Sequence, residues 1–460
     1  MGFWARTKER IAATRHRLGE LWWYAGLMTV VQLVGMLVNF YTGLWLIPRF
    51  VPQSELGAII PLTQLAIFLA IPLGMVMGPF GKFLNTFMAR GETGKAKALL
   101  VDGLRISLVA AVIMTAYTVA VAPFIQVRMR VPGLWVVMLL CVMAFLNGLK
   151  PAIASSTQAL KRFDLMMFSS LAGAPLRFVL VWVLAGSLGL FGYLVALCGV
   201  DLFALGIGAL SLYWLLGPKV RRQSYQEHWG EILAFSAPVI VMTLLCTLAA
   251  TVEPFVIRQR LPDADSAAYY VITRFSEICG FAGGIVGVLF FPLVSERFER
   301  GQSTHRLLSH ASVANILFGG LAIGVLIVAG KWILGLRPQW AIYQHFSVQM
   351  WQLGLIHVTN ILLGTFLAHE SACRRFGFGW FSVVVRVGMA VLLYCVTGWG
   401  FFRPYLPEGW WNSVANIGAG SLGFIVNFAL VGQLIMVVGI LVLVRRYHGR
   451  LPTGEEAVAS

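Results

Sequence analysis

Charge is what this sequence has least of. Asp, Glu, Lys and Arg together make up 12% of its 460 residues, against roughly 25% in an ordinary soluble domain. Acidic residues are the scarcer sign, 19 against 35 Lys plus Arg. Catalytic signatures are missing too. The eight histidines form no HExxH, the carboxylates form no EF-hand loop, and no glycine-rich P-loop occurs, so the common zinc, calcium and nucleotide sites are excluded. The six cysteines, Cys141, Cys198, Cys246, Cys279, Cys373 and Cys395, have no CxxC spacing and sit in or beside apolar stretches. They read as small hydrophobes, with no disulfide framework and no metal site. No catalytic residue, metal or cofactor is expected. The basic N-terminus leads directly into a full-length apolar run, which is not the pattern of a cleavable signal.

What fills the space is apolar. Hydrophobic residues make up 58% of the chain, in runs of about 20 residues, the length that crosses about 30 Å of hydrocarbon. About twelve such runs lie near 24–47, 57–80, 101–123, 133–154, 166–186, 190–216, 231–257, 267–293, 308–334, 347–369, 376–398 and 414–444. The expected fold is an all-α polytopic membrane protein. The net charge of +16 fits topology better than nucleic acid. With the N-terminus placed inside, only Arg49, Arg128, Arg130, Arg258, Arg260, Lys331, Arg337 and Arg403 fall in outside segments, and the other loop cations fall inside. That asymmetry follows the positive-inside rule and puts both termini in the cytoplasm. Residues 1–20 space Phe3, Trp4, Ile11 and Leu18 among five cations, as an amphipathic helix on the membrane surface does. Residues 448–460 read as a polar tail.

The chain is also internally repeated. Trp45-Leu46-Ile47 aligns with Phe255-Val256-Ile257, and the register holds without a gap through Pro52 and Pro262, Thr63 and Thr273, Gly74 and Gly284, and Phe80 and Phe290 to Arg90-Gly91 and Arg300-Gly301. Two pseudo-symmetric lobes of six helices follow, 21–217 and 231–447, joined by a cytoplasmic linker at 218–230. Repeats of this kind build many secondary transporters, which handle substrate where the copies meet.

Ionisable residues inside membrane spans are costly and are functional candidates by default. At about 1.5 Å of rise per residue, Arg177 and Asp201 reach the midplane on adjacent antiparallel helices and are placed to pair. Arg386 reaches the same depth in the equivalent helix of the second lobe. Glu253, followed by Pro254, lies level with Arg274, which makes them a candidate pair, and Glu277 lies one turn deeper, level with Arg386. Arg177, Arg274 and Arg386 are the candidate anion-binding residues of a central cavity, since guanidinium recognises phosphate bidentately. Asp201, Glu253 and Glu277 are candidates for ion coupling or for structural ion pairs.

Several degenerate motifs resemble one family. They are Leu46-Ile47-Pro48-Arg49-Phe50-Val51-Pro52 with Glu55-Leu56-Gly57, Met88-Ala89-Arg90-Gly91-Glu92, Phe235-Ser236-Ala237-Pro238, Glu253, Tyr269-Tyr270 through Arg274, and Phe291-Pro292-Leu293. Together they look like the polysaccharide transporters, or O-antigen flippases, of the multidrug/oligosaccharidyl-lipid/polysaccharide exporter superfamily. The resemblance implies a bacterial inner-membrane flippase that carries a polyprenyl-pyrophosphate-linked oligosaccharide between leaflets by alternating access, for surface polysaccharides such as lipopolysaccharide. Its partners would be that substrate, membrane lipids and polysaccharide-assembly proteins. Pro61, Pro72 and Pro79 depart from that pattern, being unusually many for one helix. A proton- or sodium-coupled multidrug exporter of the same superfamily is the main alternative. A membrane glycosyltransferase or polymerase, and a non-transporting scaffold, are the others.

Overall fold

A computed structural model describes residues 20–160, 163–217, 220–281, 290, 294, 297–298, 302–373, 377–397 and 421–448. The amphipathic segment expected at 1–20 and the tail at 448–460 lie almost wholly outside these residues. The described backbone is helical and contains no strand.

The first lobe comprises α1 (Glu20–Tyr41), α2 (Ile59–Ala89), α3 (Thr93–Met129), α4 (Leu134–Ala159), α5 (Phe163–Leu180) and α6 (Gly186–Leu216). The second comprises α7 (Trp229–Arg260), α8 (Asp263–Ser276), α9 (His305–Gly335), α10 (Ser347–Ala372), α11 (Gly377–Thr397) and α12 (Leu422–His448). Among the described residues, ten spans are long and apolar enough to cross a membrane. One of them, Met167–Leu210, contains two helices. The chain folds back there through Gly189, whose φ of 58° suits a residue without a Cβ. Much of the span expected at 267–293 beyond α8 lies outside the described residues. The result is a multi-pass helical membrane protein. Its outward residues are lipid-compatible: Val112, Trp182, Leu321 and Val328 are all more than half exposed.

The internal repeat is visible in the backbone. Val51 and Leu261 are extended, at φ −97° and −92°, and Pro52 and Pro262 follow at φ −56° and −57°, each ahead of a new helix. Proline pre-sets this φ and forgoes an N–H that a helix start leaves unused. In the first copy a short helix, Gln53–Leu56, precedes α2; in the second, α8 begins at once. The prolines of α2 do not interrupt it, and Ile59–Ala89 is one helix.

The lobes meet chiefly along α2 and α7. Elsewhere α8 packs on the helix Gln53–Leu56 and on the π-helical turn Thr42–Leu46 that follows α1. Phe40 meets Phe275 edge to face at 6.1 Å. One apolar core, including Ile47, Ile59, Leu140, Tyr193, Tyr270 and Met350, runs through both lobes.

The segment joining the lobes is docked on α3. Lys97 Nζ donates to the carbonyls of Gly217 and Val220 at 2.9 Å each. Arg222 reaches Asp102 at 2.8 Å, Tyr225 donates to the same carboxylate at 3.2 Å, and Lys95 pairs with Glu227 at 2.5 Å. Burial, and then the adjacent Asp102 charge, push the Tyr225 phenol up to about 12, so it remains a neutral donor. Gly94 permits this docking, because a Cβ there would stand 2.6 Å from the Arg221 carbonyl oxygen. Gly94→Ala is therefore expected to lift the linker at a cost of about 1–3 kcal/mol. Trypsin should then cut after Arg221 and Arg222 several-fold faster than in the unsubstituted protein. An unchanged cleavage rate would show that the docking does not depend on this close approach.

Candidate functional site

Between the lobes lies a cavity of about 420 Å³, within the range of small-molecule sites. One wall is α2, through Ile60, Thr63, Gln64 and Ile67; the others come from α7, α8, α10, α11 and α12. The repeat explains why two of these walls face each other. The register that aligns Thr63 with Thr273 also aligns Gln64 with Arg274 and Ile67 with Glu277, and all six residues line the cavity. Equivalent faces of the two copies thus look at one another, but only the second copy carries charge.

On α7, Ala250, Glu253 and Pro254 line the cavity. Pro254 has no N–H, so the Ala250 carbonyl loses the helical donor it would otherwise receive. Glu253 accepts a hydrogen bond from the Tyr269 hydroxyl at 3.2 Å. The Thr273 hydroxyl, one turn along α8, is buried without a partner. Arg274 donates from one terminal nitrogen to both Glu277 oxygens, at 2.8 and 2.9 Å, and lies 5.2 Å from the centre of the Tyr270 ring. Its Nε is buried and unpartnered. Gly43 makes room for it: a Cβ there would meet Arg274 Cδ at 3.3 Å.

Deeper in the cavity, Arg386 of α11 donates to Asn360 Oδ1 of α10 at 2.9 Å, and Gln433 of α12 donates to the same oxygen at 3.0 Å. Among the described residues no carboxylate lies within ion-pair distance of Arg386. Its Nε, His357 Nε2 and Gln433 Oε1 are buried without partners. A guanidinium held in a low-dielectric cavity with no counter-charge is costly, and an anion entering the cavity would relieve that cost.

These placements revise the pairings expected from depth. Arg177 does not pair with Asp201. It donates to Asn39 at 3.2 Å and to the Tyr193 hydroxyl at 3.1 Å, inside the first lobe and off the cavity lining. Asp201 pairs instead with Lys150 of α4 at 2.6 Å. Glu253 does not pair with Arg274, and Glu277 turns to Arg274 rather than Arg386. Rise per residue fixes the height of a side chain but not its direction around the helix axis, so level residues need not meet. An i,i+3 partner such as Glu277 is always on the same face. Of the three candidate arginines, Arg274 and Arg386 line the cavity.

Sequence reasoning passed over His357, Asn360 and Gln433. A signal was present: His357 and Asn360 stand three apart on one face of an otherwise apolar helix, and polar groups there need partners.

No protein-family model and no curated protein matches the chain. Solved structures do match. The chain is similar to a multidrug resistance MATE family transporter of the MOP superfamily in its inward-facing conformation, at 15% identity and a TM-score of 0.61, over 91% of this chain and 99% of that one. The outward-facing conformation of such a transporter matches at 14% identity and a TM-score of 0.58, over 94% and 97%. A MOP superfamily transporter from Pyrococcus furiosus, described as having a binding pocket of reversed polarity that suggests a different function, matches at 15% identity and a TM-score of 0.55, over 92% and 95%. At such identities the likeness concerns the backbone, and the chain has the two-lobed helical fold of the MATE transporters of the MOP superfamily.

Proposed function

We propose that this protein is a flippase of the bacterial cytoplasmic membrane, with both termini in the cytoplasm. It moves a polyprenyl-pyrophosphate-linked oligosaccharide to the outer leaflet by alternating access. The observation that carries this reading is Arg386, a cation without a carboxylate partner among the described residues, in a cavity walled by both lobes. A pyrophosphate would supply the missing counter-charge, with Asn360 and Gln433 left to hydrogen-bond the first sugar. The polyprenyl tail stays in lipid, so a cavity of this size need hold only the head group. The inward- and outward-facing forms of the similar transporters support alternation between two openings.

One observation favours a second reading. Glu253 has no cationic partner among the described residues and shares the cavity with the unpartnered Thr273 hydroxyl. A proton- or sodium-coupled exporter of cationic compounds would use such a carboxylate.

Reconstitution separates the two. Proteoliposomes should move a fluorescent short-chain polyprenyl-pyrophosphate sugar between leaflets faster than protein-free vesicles, and Arg386→Ala should abolish the difference. Movement of a cationic dye down an imposed proton or sodium gradient, without movement of the lipid-linked sugar, would instead establish the exporter.

A further inference from the structure

The end of the bundle opposite the linker carries a second polar construction, made from arginines that the sequence shows only as loop charges. Arg258, near the C-terminus of α7, is completely buried. Its Nε donates to the Met129 carbonyl at 2.8 Å, and one terminal nitrogen donates to the carbonyls of Ser54 and Arg130 at 2.8 and 3.0 Å. The other terminal nitrogen meets Asp263 at 2.9 Å. Three of these four acceptors belong to the first lobe.

Arg130 returns the contact. It caps α3 at a left-handed φ of 48°, and its side chain crosses to the second lobe. There it donates to the carbonyl oxygens of Arg258 and Leu261, the latter at 2.7 Å, and pairs with Asp263 at 3.1 Å. Each arginine therefore binds the carbonyls that end a helix of the opposite lobe. The last carbonyls of a helix have no donor of their own and carry the negative end of its dipole. Asp263 lies between the two cations. Beside this cluster Gly57 lets the lobes touch, since a Cβ there would stand 2.4 Å from Ser266 Cβ.

We propose that Arg258 and Arg130 form a reversible latch between the lobes, closed in this structure and released when this end of the cavity opens. Its acceptors suit that task. Helix-end carbonyls and guanidinium groups are readily taken over by water at an opening mouth, so release leaves no polar group stranded. A permanent joint between lobes has no need of exchangeable partners; apolar contact like that between α2 and α7 serves. The inference rests on the alternating-access part of the reading above and not on its cargo.

The test is a distance measurement on the whole protein without substrate. Spin labels on Trp135→Cys and Ile342→Cys, exposed positions of the first and second lobes, report the width of this end once the six native cysteines are replaced. Arg258→Ala and Arg130→Ala are each expected to raise the longer-distance population about tenfold, the equivalent of roughly one net hydrogen bond. Arg258→Lys keeps the charge but loses the fork and should fall between. Arg130→Ala serves if Arg258→Ala does not fold, and Gly57→Ala, which wedges the same end apart without touching either arginine, checks that the labels report its width. Distances unchanged in the arginine variants, with only thermal stability reduced, would make these residues a fixed joint and overturn the latch.

Discussion

Arg386→Met should leave the protein as stable as before or more so, while nearly abolishing movement of an anionic lipid-linked substrate. Stability and transport separate here because Arg386 has no opposite charge beside it among the described residues; its bond is to Asn360 Oδ1. Replacing a buried cation by an apolar side chain of similar length removes a desolvation cost and is often neutral or stabilising. The same change removes a bidentate donor for phosphate. A hydrogen bond to a charged group is worth about 1.5–3 kcal/mol, so transport should fall by roughly a hundredfold. Arg386→Lys retains the charge but not the planar fork and should keep an intermediate rate. Arg177→Ala, which removes a side chain held by Asn39 and Tyr193 away from the cavity, should lower stability more than transport. Thermal melting in detergent, measured beside translocation in proteoliposomes, reads both effects. A loss of stability in Arg386→Met with transport intact would make Arg386 a structural residue.

The fold was legible because hydrocarbon leaves few choices. A backbone in lipid must satisfy its own hydrogen bonds, so each long apolar run is a helix, and the ungapped register from Trp45 and Phe255 onward shows the duplication. The paired prolines Pro52 and Pro262, with nearly identical backbone angles, show how literally the copies repeat. The turn within Met167–Leu210 was legible as well: the apolar runs break between residues 186 and 190, and Gly189 marks the reversal there.

What was not legible is the direction of each intramembrane charge. Depth places Arg177 level with Asp201, yet each has a different partner, and Asp201 takes Lys150. Extension of α4 to Ala159 carries Lys150 well inside its helix. His357, Asn360 and Gln433 were missed for a different reason. Searching for Asp, Glu and Arg alone overlooks the neutral groups that orient them, and Asn360 is the group that fixes both Arg386 and Gln433.

Removing Glu277 should have the opposite effect to removing Arg386. Glu277 is the carboxylate that neutralises Arg274, accepting at both oxygens. Glu277→Gln would leave Arg274 as a second uncompensated cation in the same cavity. Breaking a fully buried pair costs about 3–5 kcal/mol. The Glu277 side chain is 35% exposed to the cavity, which screens the pair and lowers the expected cost to about 2 kcal/mol. The melting temperature should therefore fall, while an anionic probe such as inorganic pyrophosphate should bind more tightly, by about tenfold, because two guanidinium groups now converge on it. Bound pyrophosphate should in turn restore much of the lost stability, since a ligand that favours the folded state raises its stability by mass action. A cationic dye should bind less well to the same variant. The two changes test whether the Arg274–Glu277 pair sets the potential of the cavity, and the function follows from which probe the unsubstituted protein itself prefers, the anion or the cation. Isothermal titration of pyrophosphate against the unsubstituted protein and Glu277→Gln decides it, and weaker pyrophosphate binding in the variant would remove the cationic reading of this cavity.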